Sequence, residues 1–207
     1  MFHALLSGHE RDIYVAQTVI KLGGVVDSER MRSAGQALLD RHANLRAVFL
    51  HDSAGNPAQL VLDDVRIRWQ HTDLTSLPLE QARVEAKTIR QTDQFTSFRM
   101  DDAPLVRMHL VTIEDGKHEL LFTNHHILLD GWSMPVLVKE LLTLYATRAD
   151  TAHLPSVRPY KDFLSWLAAH DRDEARAQWA TTLSGLDEPS LIAPGAGEGS
   201  PRPTPAK

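Results

Sequence analysis

The spacing of hydrophobic and polar residues changes several times along the chain, and each change predicts a new element. Residues 12 to 24 are rich in β-branched side chains and end in Gly-Gly, which is typical of a strand followed by a turn. A helix is then expected to begin with Asp27 or Ser28 as its N-cap. Its apolar stripe, at helical spacing, consists of Met31, Ala34, Leu38 and Leu39.

The pattern then returns to strands, one helix and a long hairpin. The apolar run "LRAVFL" predicts a short strand, and the turn "HDSAGNPAQ" follows it. "LVLDDVRIRWQHTDL" also indicates strands, and residues 78 to 93 predict a polar helix with proline near its first turn. Two β-rich runs around residues 114 to 117 predict a hairpin. This order favours a mixed α/β fold.

The last third of the chain is predicted to be helical and then to lose regular structure. Residues 133 to 148 predict a helix with Ser133 as N-cap. Residues 159 to 184 predict one or two more helices. Two pairs of side chains there are spaced to face a core: Phe163 with Leu167, and Trp179 with Leu183. Residues 189 to 207, rich in proline, glycine and alanine, predict a linker or disordered tail.

The composition argues against several kinds of partner and chemistry. The net charge of -5 argues against nucleic acid as a partner. The chain contains no cysteine, which excludes disulfides, thiolate zinc sites and a cysteine nucleophile. The N-terminus does not resemble a signal peptide, and the apolar runs are far shorter than the ~20 residues that span a bilayer. We therefore expect a cytoplasmic protein that does not enter a membrane.

Candidate chemistry is concentrated in the strand-like stretch "HELLFTNHHILLD". Neighbouring side chains on a strand point to opposite faces, so we expect only one of His125 and His126 to face a cleft. This geometry argues against a metal site built on both histidines. Asp130 can fix the following loop by pairing with arginine, or it can orient an imidazole. Gly131 permits a backbone conformation that side chains forbid, close to the donors of a helix N-terminus.

An imidazole, a carboxylate and backbone donors suit acyl transfer, in which an amine or alcohol is deprotonated and an oxyanion is stabilised. The chain has no Gly-x-Ser-x-Gly motif and no cysteine, so direct attack of one substrate on another fits better than an acyl-enzyme. A lone histidine is more often structural than catalytic, but the pattern His-His-x-x-x-Asp-Gly is more demanding than the residue types alone.

Three separated motifs resemble the condensation domains of nonribosomal peptide synthetases. The stretch His125 to Gly131 matches the active-site motif His-His-x-x-x-Asp-Gly of that family. The segment "RHANLR", Arg41 to Arg46, matches a second family motif. "MFHALL" resembles the end of the first motif, whose start is missing, and "YKDFLSWLAAHDRDEARAQWATTLSGL" resembles the helices that close the first lobe.

The resemblance implies a lobe like chloramphenicol acetyltransferase, with a mixed β-sheet and flanking helices. Two such lobes form a V, and this chain would supply the N-terminal lobe over residues 1 to 188, with residues 189 to 207 leading towards an absent C-terminal lobe. The isolated lobe is therefore expected to be weakly active or inactive. The face that normally meets the second lobe is expected to expose apolar surface.

The resemblance also assigns residue roles. His126 would be the catalytic histidine, positioning or deprotonating the acceptor's α-amino group. His125 would be structural, Asp130 would pair with Arg41, and Gly131 would allow the substrate to approach. For Trp132 we expect apolar packing beside the site.

The implied reaction forms an amide between donor and acceptor groups held on upstream and downstream peptidyl carrier proteins. The phosphopantetheine arms belong to those carriers, and this chain is expected to bind no cofactor of its own. The motif variant and the opening residues look more like the subtype that joins a D-configured donor to an L-configured acceptor. Three alternatives stay open: a non-catalytic carrier-docking module, an acyltransferase with a free small-molecule acceptor, and a metal hydrolase.

Overall fold

The computed structural model describes residues 12 to 186. It contains two compact units, which divide between Asp162 and Phe163. The predicted first motif, "MFHALL", and the predicted linker at residues 189 to 207 lie outside the described residues, so the boundary at residue 188 stays a prediction.

The first unit alternates strands and helices. Its strands are β1 Val15–Gly23, β2 Ala47–His51, β3 Pro57–Val61, β4 Arg68–Asp73, β5 Val106–Glu114 and β6 Lys117–His125. Its helices are α1 Ser28–Arg41, α2 Leu79–Phe95 and α3 Ser133–Ala146, with short 3₁₀ helices at Ala43–Arg46 and Thr151–His153. The helix α4 Tyr160–Ala168 spans the division, and α5 Arg172–Thr182 belongs to the second unit.

The main sheet has four strands in the order β1-β6-β5-β4. β6 pairs antiparallel with both β1 and β5, and β4 pairs parallel with β5, so the sheet is mixed as predicted. The predicted hairpin is β5 and β6, which turn at Gly116 with a left-handed φ of 68°. β2 and β3 form a separate antiparallel pair.

Helices cover both faces of the main sheet. Leu120 and Phe122 of β6 belong to the larger hydrophobic core with residues of α1 and α3. Leu121 lies in a second core with Ala82 and Ala86 of α2. Because both faces are covered, β6 is buried at every position after Lys117, which explains its continuous apolar run.

The first helix follows the sequence prediction closely. Asp27 is its N-cap and accepts a hydrogen bond from the Arg30 backbone N–H at 3.0 Å. The four predicted stripe residues are all buried: Met31, Ala34, Leu38 and Leu39.

The prediction that four side chains in the last helices face a core was wrong for the described residues. Phe163, Leu167, Trp179 and Leu183 are between 43% and 64% exposed. Helical spacing correctly predicts a common apolar face on each helix, but it does not specify whether the same chain covers that face.

Candidate active site

The central strand β6 ends at the histidine pair and separates the two rings. His125, the last residue of the strand, is 1% exposed. His126 is exposed and lines an open cleft. Only one of the two histidines faces the cleft, as expected, and His126 is exposed because the strand ends before it.

Hydrogen bonding fixes the chemical state of His125. Its Nδ1 accepts a hydrogen bond from the Ile127 backbone N–H at 3.0 Å, so the neutral ring carries its proton on Nε2. Burial lowers the pKa of His125; the Asp12 carboxylate partly offsets this effect, and nearby His126 adds to the lowering. Nε2 lies 3.6 Å from Oδ2 of Asp12, beyond hydrogen-bond reach. His125 is therefore a neutral internal support for the turn that follows it.

The turn that carries His126 is held at both of its ends. The His126 backbone N–H donates to the Tyr14 carbonyl at 2.7 Å, which ties the turn to the residue before β1. The Leu128 N–H donates to the His125 carbonyl at 3.1 Å. The Leu128 carbonyl in turn accepts from Nδ2 of Asn44 at 2.5 Å.

The cleft beside His126 has a volume of about 960 Å³ and is formed by both matched motifs. Arg41, His42 and Asn44 line it from the end of α1 and the 3₁₀ helix, and His126 lines it from the turn after β6. Apolar side chains on its wall include Phe49, Leu128, Val136 and Val157. This volume is in the range of small-molecule sites, so a substrate group can reach the His126 imidazole from the cleft.

The predicted pairing of Arg41 with Asp130 was wrong. Nε of Arg41 donates to Oε2 of Glu140 at 2.9 Å, and both side chains are only 10% exposed. Nε2 of His42 lies 2.6 Å from the same oxygen. Burial opposes ionisation of Glu140, but hydrogen bonds from Arg41 and His42 outweigh it and lower its pKa.

Asp130 is exposed and organises the start of α3 instead. Its Oδ1 accepts hydrogen bonds from the backbone N–H of Ser133 at 2.9 Å and from the Ser133 hydroxyl at 2.7 Å. The Ser133 hydroxyl and then its backbone N–H lower the pKa of Asp130. Ser133 is the first residue of α3 and Trp132 occupies the N-cap position without a side-chain capping bond, so the predicted N-cap role of Ser133 was wrong. Because the Ser133 N–H is bonded to Asp130, it is not available to a substrate oxyanion.

Gly131 and Trp132 also differ from the sequence expectations. Gly131 does not have a left-handed φ, and a Cβ added there would meet nothing within 4 Å in the described residues. The predicted need for a backbone conformation peculiar to glycine was wrong. Trp132 is 88% exposed at the cleft, so the expected packing was wrong as well.

Sequence reasoning missed several residues that build this site. Glu140 had one signal, a lone acidic residue in the apolar helix "SMPVLVKELLTLYA", where a buried charge needs a partner. Asn44 and Tyr14 had no such signal. Asn44 acts through a side-chain bond to the distant Leu128 carbonyl, and Tyr14 accepts a backbone bond from His126, and neither bond leaves a local sequence pattern.

Two structural features are absent between residues 12 and 186. Within that range no group of three or more histidine, cysteine or acidic side chains is placed to hold a metal ion. No helix there is long and apolar enough to cross a membrane.

Comparison with known proteins identifies the family. The family model for the condensation domain matches residues 1 to 202. The chain is 34% identical over 200 residues to bacitracin synthase 3 of Bacillus licheniformis, covering 95% of this chain and 3% of that protein. It is 30% identical over 190 residues to gramicidin S synthase 2 of Brevibacillus brevis, covering 91% of this chain and 4% of that protein.

Solved structures support the fold. The first condensation domain of the calcium-dependent antibiotic synthetase has a TM-score of 0.73 at 21% identity and covers 91% of this chain and 46% of its own. A single-residue variant of the starter condensation domain of rhizomide synthetase has a TM-score of 0.78 at 16% identity, and the match covers 93% of this chain and 47% of that one. At these identities the likeness concerns the fold alone.

The chain belongs to the condensation domain family. It spans a few per cent of the curated relatives and slightly less than half of these solved condensation-domain chains. The family and one-lobe fold predicted from the three motifs are confirmed.

Proposed function

We propose that this chain supplies the histidine lobe of a condensation domain that forms amide bonds in nonribosomal peptide synthesis. The donor acyl or peptidyl group and the acceptor aminoacyl group would both arrive as thioesters on the phosphopantetheine arms of carrier proteins. The observation that carries the proposal is the separation of the two histidines. His126 faces a cleft built by both matched motifs, and His125 is a buried neutral support.

The reaction needs little from the protein except proton handling and alignment. The acceptor α-amine attacks the donor thioester carbonyl, a C–N bond forms and the C–S bond breaks. The amine loses one proton, and the sulfur leaves as the thiol of the donor arm once it is protonated. A nitrogen of the His126 imidazole accepts either a hydrogen bond or the proton from the amine, and both roles are consistent with its place on the cleft.

The proposed partners follow from the same arrangement. Two carrier proteins would deliver the donor and the acceptor, and a C-terminal lobe would complete the walls around His126. The share of the solved condensation-domain chains that this chain covers, slightly less than half, supports that second lobe. We accordingly expect the 207-residue chain alone to form little or no product.

The test measures amide formation by mass spectrometry, with donor and acceptor loaded on carrier proteins. A complete condensation domain containing this lobe is compared with its His126→Ala variant and with His153→Ala, a control at a surface histidine whose side chain is 64% exposed. The same aminoacyl group is also supplied as a free small-molecule thioester. We expect product with carrier-bound substrates, at least a hundredfold loss in His126→Ala and no loss in the control.

Two results would contradict the proposal. Carrier binding without any product would make the domain a docking module. Equal turnover of the free and the carrier-bound acceptor would indicate an acyltransferase for small-molecule acceptors.

A further inference from the structure

The turn between β6 and α3 carries His126 at the cleft, and its far side is held by a side chain from another element. Nδ2 of Asn44 donates to the Leu128 carbonyl at 2.5 Å. The first part of the turn is already fixed by the Tyr14 carbonyl and by the His125 ring. The bond from Asn44 adds a third attachment, which approaches from the 3₁₀ helix and lies two residues beyond His126.

The orientation of the Asn44 amide is determined by its partners. A carbonyl oxygen only accepts hydrogen bonds, so the NH₂ group of Asn44 must face Leu128. Its Oδ1 then faces Gln59, whose Nε2 donates to it at 3.2 Å. Both ends of the amide are occupied, so the group has no competing orientation.

The residues on either side of Asn44 are buried or hydrogen-bonded. Its neighbour Leu45 is 2% exposed, and the Leu45 N–H donates to the His42 carbonyl at 3.0 Å. The preceding Arg41 and His42 are both bonded to Glu140 of α3. The donor that meets the Leu128 carbonyl is therefore fixed independently of the turn.

We infer that Asn44 is a positioning residue for His126, acting through the Leu128 carbonyl. This inference rests on the proposed function of His126. Because a displacement of about 1 Å at a reacting group can cost on the order of a hundredfold in rate, one hydrogen bond that limits the turn can affect turnover without contacting a substrate.

The experiment has two parts with the same variants. Asn44→Ala removes the donor, and Asn44→Asp keeps the shape but places a carboxylate against the Leu128 carbonyl. The matched control is Asn56→Ala, which removes a similar side-chain bond to Asp52 at 3.1 Å in the β2–β3 turn. Amide hydrogen exchange is measured on the 207-residue chain, and kcat and KM are measured in a complete condensation domain that contains it.

We expect exchange at residues 126 to 128 to be about tenfold faster in both Asn44 variants, with the thermal unfolding midpoint close to that of the wild type. We also expect kcat to fall about tenfold or more with KM changed less than about twofold, which a general loss of folding would not produce. Asn56→Ala should change neither the exchange rate at residues 126 to 128 nor kcat.

Unchanged exchange at residues 126 to 128 in Asn44→Ala, or unchanged kcat in an active domain, would overturn the inference. If the wild-type domain forms no amide product, that result contradicts the proposed function and does not bear on Asn44. The exchange comparison then decides alone whether Asn44 holds the turn.

Discussion

At the scale of single residues, some side chains of the site are buried and hold it together, and another faces the cleft. His125 and Glu140 are buried, and each is defined by its bonds: His125 to the turn after β6, Glu140 to Arg41 and His42. His126 has its backbone bonded and its side chain on the cleft. Substitutions at the buried residues should therefore reduce stability first, and activity only as a consequence.

Glu140→Gln tests the buried charge cluster. The variant leaves the Arg41 guanidinium, 10% exposed, without its carboxylate. We expect the free energy of unfolding to fall by about 3 kcal/mol, measured by urea denaturation at pH 7. The control Glu29→Gln, which removes an exposed pair with Arg32, should change it by less than about 0.5 kcal/mol. Similar losses in both variants would show that the buried cluster stabilises the chain no more than an exposed ion pair does.

The pH dependence of this effect has a definite sign. The pKa of Glu140 in the folded chain lies below its ordinary value of 4.5, so the unfolded chain binds a proton more readily. The stabilisation is fully present above pH 4.5 and is lost as the pH falls through the folded pKa. The difference between wild type and Glu140→Gln should therefore narrow as the pH falls below about 4.5.

Some contacts of the site residues could be predicted from the sequence and others could not. Local strand geometry predicted that the two histidine side chains would part, but it did not predict that β6 ends between them and leaves His126 in the exposed turn. The partner of Arg41 could not be predicted, because Glu140 is 99 positions away and reaches it only when α1 and α3 pack together. Asp130 is the carboxylate within the motif, but it lies at the exposed start of α3.

At the scale of elements, α3 links the cleft to the core. The Asp130 carboxylate accepts from the N–H of the helix's first residue, Ser133, and the middle of the helix carries Glu140 to the end of α1. Its C-terminal end is closed by the chain bending back through Arg148 and Ala149, which both have left-handed φ values of 56° and 64°. The Ala149 N–H donates to the Leu144 carbonyl at 2.7 Å, so the strained turn satisfies the helix end.

Ala149→Gly tests the strain at the end of α3. Left-handed backbone costs a side-chain-bearing residue about 1 kcal/mol, and glycine avoids this cost. We expect the variant to raise the free energy of unfolding by about 0.5 to 1 kcal/mol in urea denaturation. The control Ala37→Gly, in the middle of α1, should lower it by about 1 kcal/mol or more. A loss of stability in both variants would show that the turn is not strained.

Element types were predictable from the sequence, and their environments were less so. The β5–β6 hairpin, α1 and the two terminal helices are formed by local patterns of apolar spacing and turn residues. The parallel pairing of β4 with β5 depends on a connection through α2 and has no local signal. The exposure of Trp132 was likewise not encoded in its neighbours.

At the scale of the whole molecule, the chain has the character of one half of a larger domain. Large apolar side chains stay exposed along residues 160 to 186, including Trp166 at 55% and Trp179 at 64%. Exposed apolar surface was expected for a lobe that normally meets another. The family, the single-lobe fold and the histidine cleft could be predicted because three motifs match one family. What covers the exposed apolar faces could not be predicted, because helical spacing defines a face and not the surface that packs against it.

The division of roles between the two histidines can be tested in one experiment. His125→Ala and His126→Ala are each made in a complete condensation domain, and the free energy of unfolding and amide formation on carrier proteins are measured for both. We predict that His126→Ala keeps its stability within about 0.5 kcal/mol and loses product, since an exposed side chain contributes little to folding. His125→Ala should lose about 2 kcal/mol or more, because a buried ring and its hydrogen bond are removed. A stable His125→Ala variant without activity, beside a fully active His126→Ala variant, would contradict this division.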